Sequence, residues 1–595
     1  MGTGVLICTY AAFGILLVNV ILTIVAAAVA VARHDQRTMS SATIYKGSCD
    51  RTKAWTTGLH LLINVLSTIV LGASSYCMQC LTSPSRVDVD RAHGQRVWLD
   101  IGVASVRNLA WADWPRRTLW LVLLVTSIPI HLMYAIVLAS ANFDFDRPPA
   151  HYNSSFEECF ESNTAMSMST FYADLPSFDN LTREECIRRY AMDFPTDLGT
   201  LILVTSNLTA ANQRLQWIYW GNSVANDGQI MTSNYDWLCA QFGVLSSSCT
   251  PPKLLSALDQ WAASPLVPWA EYPVEYCLSR KLTEQCELQF SPAICLAVIV
   301  CNVFKVLCML LTARSDRTEI FLTVGDAVAS FLTQPDPSTE RMCLTSRLNL
   351  TQGAQPWRSR REGYLQIAVK DASRPQARAA LPPRQRWMRA VHPSQWIMTI
   401  GVYVKPLLCL CHSTTFSALW QLGFGSATPY TIFSLPHSNV VSMSLLANTP
   451  QIAVSIGYFL YNNLLTHMLL AAEHDDYASQ RKALRVSWPQ GSQRSSYYLS
   501  LPYRYSIPLM IASMLLHWLV SGSLFYVAIN PIDMLGNTVH ANQVITCGYG
   551  PIAIVFALIL GGVMTSTVVG LGMRRFASQM PIAGSCSAAV SAACH

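Results

Sequence analysis

Residues 406–472 read PLLCLCHSTTFSALWQLGFGSATPYTIFSLPHSNVVSMSLLANTPQIAVSIGYFLYNNLLTHMLLAA and contain no Asp, Glu, Lys or Arg. A bilayer core about 30 Å thick takes about 20 apolar residues in a helix, so this stretch is too long for one crossing. Two helices joined around Leu435-Pro436-His437-Ser438 fit, because proline marks a turn there. Three short spans also fit the length. The flanks decide between them. Residues 314–395 hold 13 Lys/Arg, and residues 473–504 hold Arg481, Lys482, Arg485, Arg494 and Arg504. Basic loops stay cytosolic, so both flanks lie on one side and the number of crossings between them is even.

Outward from there, apolar runs near 5–31, 55–79, 118–141, 290–311, 396–420, 441–470, 506–529 and 545–573 each suit one crossing. The expected fold is an all-α integral membrane protein of about eight transmembrane helices. A large disulfide-bonded extracytosolic loop domain lies between the third and fourth. Composition agrees: 51% of residues are hydrophobic and 13% charged, against about 25% charged in soluble domains. Residues 1–32 lack the basic n-region of a signal peptide, and the run from Val5 to Ala32 is longer than a signal core, so it reads as a retained first span. The organisation is then 1–141 for spans one to three, 142–289 for the loop domain and 290–311 for span four. A basic linker follows at 312–395, then spans five to eight at 396–575 and a tail at 576–595.

Orientation follows from local Lys and Arg. The 81–117 loop holds Arg86, Arg91, Arg96, Arg107, Arg116 and Arg117, and the last span ends at Arg574-Arg575. With eight spans these face the same side as the two basic flanks, the cytosol, as do both ends of the chain. One segment disagrees: 33–54 belongs outside yet carries Arg33, Arg37, Lys46, Arg51 and Lys53.

The 142–289 loop has 18 Asp/Glu against 8 Lys/Arg, three N-x-Ser/Thr sequons at Asn153, Asn180 and Asn207, and six cysteines, Cys159, Cys186, Cys239, Cys249, Cys277 and Cys286. Charge, sequons and an even cysteine count place it in the lumen or cell exterior. Six cysteines allow 15 pairings. The short separations make Cys239/Cys249 and Cys277/Cys286 attractive local bridges, while Cys49 and Cys547, facing the same side, complicate the pairing. A fourth sequon at Asn349 falls in a cytosolic loop and should stay unmodified.

The chain shows no Walker A, H-E-x-x-H or G-x-S-x-G motif and no paired C-x-x-C, so no catalytic residue, metal or cofactor is assigned. No basic stripe interleaves with aromatics, which argues against nucleic acid. The expected partner is the lipid bilayer, in the plasma membrane or an endomembrane of the secretory pathway. Cys77-Met78-Gln79-Cys80 is too few ligands for structural zinc. Glu473-His474-Asp475-Asp476 reads as a solvated helix end. Lys305 and Lys405, near the cytosolic ends of spans, read as snorkelling side chains. Cys586 and Cys594 sit in a small-residue tail, either palmitoylated or unmodified.

Polar residues within spans are more informative, because lipid disfavours them. His60 and Asn64 share a face, as do Asn448 and Gln451 around Pro450, and His517 and Ser521; His131 lies within the third span. Pro450 predicts a kink, and kinked helices beside polar groups are one way transporters build sites. These groups form either a polar cavity or a set of interhelical hydrogen bonds. The chain is therefore read as a transporter of a small molecule or ion, with a receptor or scaffold acting through the 142–289 domain as the alternative.

Several stretches carry a resemblance. They include Leu61-Leu62-Ile63-Asn64-Val65-Leu66-Ser67-Thr68, Ser75-Tyr76-Cys77-Met78-Gln79-Cys80-Leu81 and Trp98-Leu99-Asp100-Ile101-Gly102. Further on come Gly325-Asp326-Ala327, Ala447-Asn448-Thr449-Pro450-Gln451, Leu501-Pro502-Tyr503-Arg504-Tyr505, His517-Trp518-Leu519-Val520-Ser521 and Met580-Pro581-Ile582-Ala583-Gly584-Ser585-Cys586-Ser587. Together the chain resembles fungal polytopic membrane proteins whose N-terminal region is known only as a domain of unknown function. The resemblance implies a similar topology and carries over no catalytic residue or substrate. A role accessory to fungal small-molecule biosynthesis is the further expectation under the alternative reading. Because several of these stretches fall at the cytosolic ends of spans, that face is expected to form one packed layer.

Overall fold

The structure is a computed structural model that describes residues 2–34, 42–132, 137–138, 175–191, 198–205, 251–263, 272–281, 286–315, 320–340, 342–343, 345–352, 357, 383–404, 420, 424–425, 431–433, 440–529 and 544–595. Among these, five helices are long and apolar enough to cross a membrane: α1 (Gly2–His34), α2 (Cys49–Thr82), and three later ones over Pro292–Arg314, Tyr503–Ser523 and Pro551–Gly572. Proline at the first or second position opens the Pro292 and Pro551 helices, where its missing N–H costs nothing. Their outward sides carry bare apolar residues such as Phe304 and Val563, as α1 does with Ile24, and a lipid-facing surface requires this.

The other expected crossings are described in part. Helix α3 (Arg86–Gly94) precedes α4 (Trp114–Leu132), which covers the first part of the third apolar run. The helix over Pro393–Val404 covers the start of the fifth, and Lys405 lies outside the described residues. The sixth is one continuous helix, Val440–Ser479, with Pro450 inside it. Leaving the short helix Pro251–Ser256 of the loop domain unnumbered, the helices after α4 are α5 (Arg183–Tyr190), α6 (Pro292–Arg314), α7 (Val324–Thr333), α8 (Arg347–Gln352), α9 (Pro393–Val404), α10 (Val440–Ser479), α11 (Tyr503–Ser523), α12 (Pro551–Gly572) and α13 (Ser587–Ala592).

The all-α expectation fails at one end of the bundle, where strands β1 (Ala42–Gly47), β2 (Val137–Leu138) and Cys286–Phe290 form an antiparallel sheet. Within the loop domain, Phe178–Thr182 (β3), Leu198–Thr205 (β4), Ala262–Ala263 (β5) and Tyr272–Lys281 (β6) form a second sheet in the order β3-β6-β4, with β5 on β6. Cys286–Phe290 is then β7. Near the basic end Arg485–Val486 (β8) pairs Arg494–Ser495 (β9), and back at the sheet end Leu524–Ile529 (β10) pairs Val544–Tyr549 (β11). Apolar length alone assigns 506–529 and 545–573 wholly to helix. Instead the last residues of one run and the first of the other leave the bundle as β10 and β11, which pack on α10, with β10 also against β2.

The expected local bridge Cys277/Cys286 is also corrected. Cys286 bonds Cys49, and Cys277 bonds Cys186. The register explains both: Cys286 lies opposite Gly47, two residues before Cys49, while β6 carries Cys277 between β3 and β4, beside the capping-box helix α5 that holds Cys186. Lys46 pairs with Glu287 at 3.4 Å. The basic 42–54 segment therefore sits with the end of the acidic loop. Cys159, Cys239 and Cys249 lie outside the described residues.

The opposite end is a packed layer. Val89, Ala92, Trp98, Leu99, Ile101, Phe321, Phe331, Leu350, Trp357, Cys586, Ala588 and Val590 belong to one buried cluster drawn from distant stretches of sequence. Ser85 caps α3 and Thr323 caps α7, each answered by an Asp three residues on, so both helices start with their N–H groups satisfied. Gly102 has φ 73° and meets Leu470 closely, and Gly325 lies against the backbone of Arg485. Neither position has room for a side chain.

Candidate intramembrane polar site

Three helices bring the polar candidates together. His60, Asn64 and Ser67 lie along one side of α2, Asn448 and Gln451 one turn apart on α10, and Ser521 near the end of α11. With Ile63 they line a small pocket of about 20 Å³, room for about one water molecule. No carboxylate is among the lining residues.

The hydrogen bonds define each group's role. Gln451 grips His517 at two points: its amide Nε2 donates to the His517 carbonyl at 3.1 Å, and its Oε1 lies 2.7 Å from His517 Nδ1. Since Oε1 only accepts, Nδ1 carries the proton. This pair joins α10 to α11 just beyond Pro450, where the helix has lost a backbone donor. Asn64 Nδ2 donates to His60 O at 2.8 Å and reaches Ser521 Oγ at 3.5 Å, while Ser521 donates to Trp518 O. Asn448 Nδ2 donates to Ser444 O. The side chain has a second N–H, so it keeps one donor beyond this bond. The structure thus contains both a cavity and interhelical bonds. His517 stands behind the lining, buried against Gln451. The side chain of His131 lies outside the described residues.

Lys305 corrects the snorkelling expectation. It is 2% exposed, and its Nζ donates to Ser127 Oγ on α4 at 2.9 Å and to Ser74 Oγ on α2 at 3.2 Å. The four-carbon stem stays inside the bundle because these two hydroxyls give its head partners there.

A second polar assembly lies in the packed layer, and little in the sequence announces it. His93 Nδ1 contacts Asp336 Oδ2, and His93 Nε2 is 2.8 Å from Ser587 Oγ. The order Ser–His–Asp is that of hydrolase triads. Here all three side chains are buried, and Ser587 Oγ also accepts the Leu99 N–H. Its effect is to tie α3, the Asp336 turn and α13 together. Asp100 accepts from Ser105 and Ser585 and pairs with Arg107. Arg116 bonds Asp88 at 2.8 Å and the carbonyls of Leu81 and Ser83. Burial works to raise the Asp336 carboxyl, yet the His93 and Ser338 hydrogen bonds outweigh it and hold it well below the usual range. Asp88 and Asp100 are likewise held low against burial, by Ser85 with Arg116 and by Arg107 with its neighbours. Asp326 goes the other way: burial outweighs its Ser487 and Thr323 bonds and raises it.

The expected solvated end at 473–476 is corrected as well. His474 and Asp475 are buried, and Asp475 accepts the backbone N–H groups of Ala577 at 2.7 Å and Ser578 at 3.1 Å. Cys77 and Cys80 are fully buried hydrophobes of the α1–α2 contact. Cys586 is fully buried, which leaves no room for a lipid chain on it. Asn180 is exposed on β3, Asn349 is exposed at α8, and Asn153 and Asn207 lie outside the described residues.

No curated protein and no solved structure matches the chain. Three family models do: residues 1–141 match a family of unknown function (DUF6536), residues 176–287 a domain of unknown function (DUF8420) and residues 323–595 a domain of unknown function (DUF8419). In three successive stretches, then, the chain is similar to protein domains whose function is unknown, and the middle one coincides with the disulfide-bonded sheet domain.

Proposed function

We propose that this multi-pass membrane protein carries a small solute or ion through the bilayer, using the pocket between α2, α10 and α11. The observation behind this reading is the pocket itself, lined by Asn64, Asn448, Gln451 and Ser521 and bordered by helix α10 where Pro450 lies within it. Polar residues are costly in lipid, and a cavity lined by them has a use that hydrogen bonding between helices alone does not require. Eight crossings, with the basic end cytosolic and the sheet end outside, complete the reading. The Cys49–Cys286 disulfide supports that orientation, since disulfides persist on the non-cytosolic side.

The test uses purified protein in proteoliposomes incubated with a cell extract, with retained solutes compared by mass spectrometry. Wild type should enrich at least one solute over empty vesicles. Asn448→Ala should lose that enrichment while keeping its gel-filtration profile. Equal enrichment by both proteins, or none by either, would sink the reading.

A further inference from the structure

We infer that the basic end of the bundle holds a site for an anionic membrane lipid, formed where the end of α12 meets the turn before α9. Two short segments build it. Arg574 and Arg575 follow the last turn of α12, and Arg384, Arg386 and Arg389 precede α9. The backbone fixes them side by side. The Trp387 N–H donates to the Arg574 carbonyl at 2.8 Å, and the Phe576 N–H donates to the Gln385 carbonyl at 2.9 Å. Arg386 and Arg575 stand directly opposite each other in an antiparallel bridge. Gly572 permits this approach, because Trp396 and Met388 pack where its side chain would be. The Arg386 guanidinium reaches Met573 Sδ at 3.2 Å, and that of Arg574 lies 5.7 Å from the centre of the Trp387 ring.

These arginines are all exposed, and among the described residues none of them pairs with a carboxylate. The acids at the nearby end of α10 are engaged elsewhere: Glu473 with Arg485, Asp476 with Lys482, and Asp475 with the Ala577 and Ser578 N–H groups. Like charges directly opposite on paired backbones are destabilising, and an anion shared by Arg386 and Arg575 relieves that repulsion. The carbonyl end of α12 supplies only about half a negative charge, too little for the whole cluster.

The neighbouring side chains say which anion fits. Ile397 and Met398 on α9, and Met573 at the end of α12, are apolar and exposed. On the membrane-length helix α12, and beside it, such side chains belong among acyl chains. The arginines then lie just beyond them, at the depth of the lipid phosphates. A lipid satisfies both parts: its phosphate accepts from the planar guanidinium forks, and its chains cover Ile397, Met398 and Met573. A free phosphate would leave those three bare. Basic clusters at the ends of spans attract anionic lipids on general electrostatic grounds. The site is separate from the pocket between α2, α10 and α11.

The full-length protein in neutral detergent is titrated with dioleoylphosphatidylglycerol or dioleoylphosphatidylcholine, and bound lipid is counted by native mass spectrometry. The anionic lipid should be retained and the zwitterionic one should not. Arg386→Gln with Arg575→Gln should weaken retention about tenfold or more, and Arg389→Gln with Arg574→Gln should weaken it similarly. Arg481→Gln with Arg494→Gln removes the same charge from another exposed part of the basic end and should leave retention unchanged. Equal retention of the two lipids, no loss in the two site pairs, or the same loss in all three pairs overturns the site. An excess of inorganic phosphate should not displace the lipid, and displacement would make this a free-anion site and overturn the lipid assignment. If one site pair aggregates on gel filtration, the other decides. Aggregation of both makes these arginines packing residues and overturns the site too.

Discussion

At the scale of single residues, two contacts give sharp expectations. Gln451 and His517 bond each other at two points, so their effects should not add. A double-mutant cycle with Gln451→Leu and His517→Phe, read by denaturation in mixed micelles, should give a coupling of about 0.6 to 1.7 kcal/mol. Additive losses would mean that the two side chains do not depend on each other. Gly325 is the second case. A Cβ there would lie 2.2 Å from the Arg485 carbonyl oxygen, a backbone atom that cannot swing aside. Gly325→Ala should lower stability by roughly 1 to 3 kcal/mol, visible as a lower melting temperature in detergent, whereas Gly94→Ala, with open space around it, should be tolerated. Of the pocket lining, His60, Asn64, Asn448, Gln451 and Ser521 stood out in the sequence as polar side chains in apolar runs, whereas Ser67 and Ile63 did not. Lys305 was visible too, but its partners were not, because Ser74 and Ser127 are far from it in the chain and ordinary in kind.

At the scale of elements, the apolar runs announced the helices, because length and lack of charge suffice to mark a span. The strands were not announced, since each of the pairs β1–β7 and β10–β11 adds a short segment at the edge of a run already accounted for as helix or loop. The same limit hid the Cys49–Cys286 bridge. A pairing across 237 residues depends on strand register, which cysteine spacing does not encode. Cys49→Ser should cost about 2 to 5 kcal/mol of stability. Peptide mapping without reductant should recover a Cys49–Cys286 cross-linked species from wild type, and a Cys277–Cys286 species in its place would refute the register described above. The acidic cluster at 473–476 misled for a related reason. A charged helix end normally meets water, and only the fold brings the Ala577 and Ser578 N–H groups to Asp475.

At the scale of the whole molecule, the two ends differ in chemistry and so in how they respond to conditions. Asp88, Asp100 and Asp336 have carboxyls held below their ordinary values. Each therefore adds stability that is fully present above about pH 4 and is lost as pH falls through its lower folded-state value. Asp326, held high, acts in the opposite sense and gains stability over the interval below its folded value. With three groups against one, the melting temperature should hold between about pH 7 and pH 5 and fall below about pH 4, with Asp336→Asn showing a shallower acid loss. A steady decline from neutral pH would contradict this. Topology has its own check: endoglycosidase treatment should shift a chain carrying Asn180 as its sole sequon and leave one carrying only Asn349 unchanged.

The woven position of residues 583–592 has a consequence for biogenesis. Ala583, Ser585, Cys586 and the whole of α13 are buried in the layer that also holds residues 89–101 and 321–331. A ribosome makes this segment after the five described membrane-length helices. Until it emerges, Leu99, Phe321 and Phe331 lack part of their cover, and the nascent protein presents an apolar surface. A stop codon at position 583 would leave the five described membrane-length helices intact, and the product should nonetheless be degraded far faster than the 595-residue chain in a pulse-chase experiment.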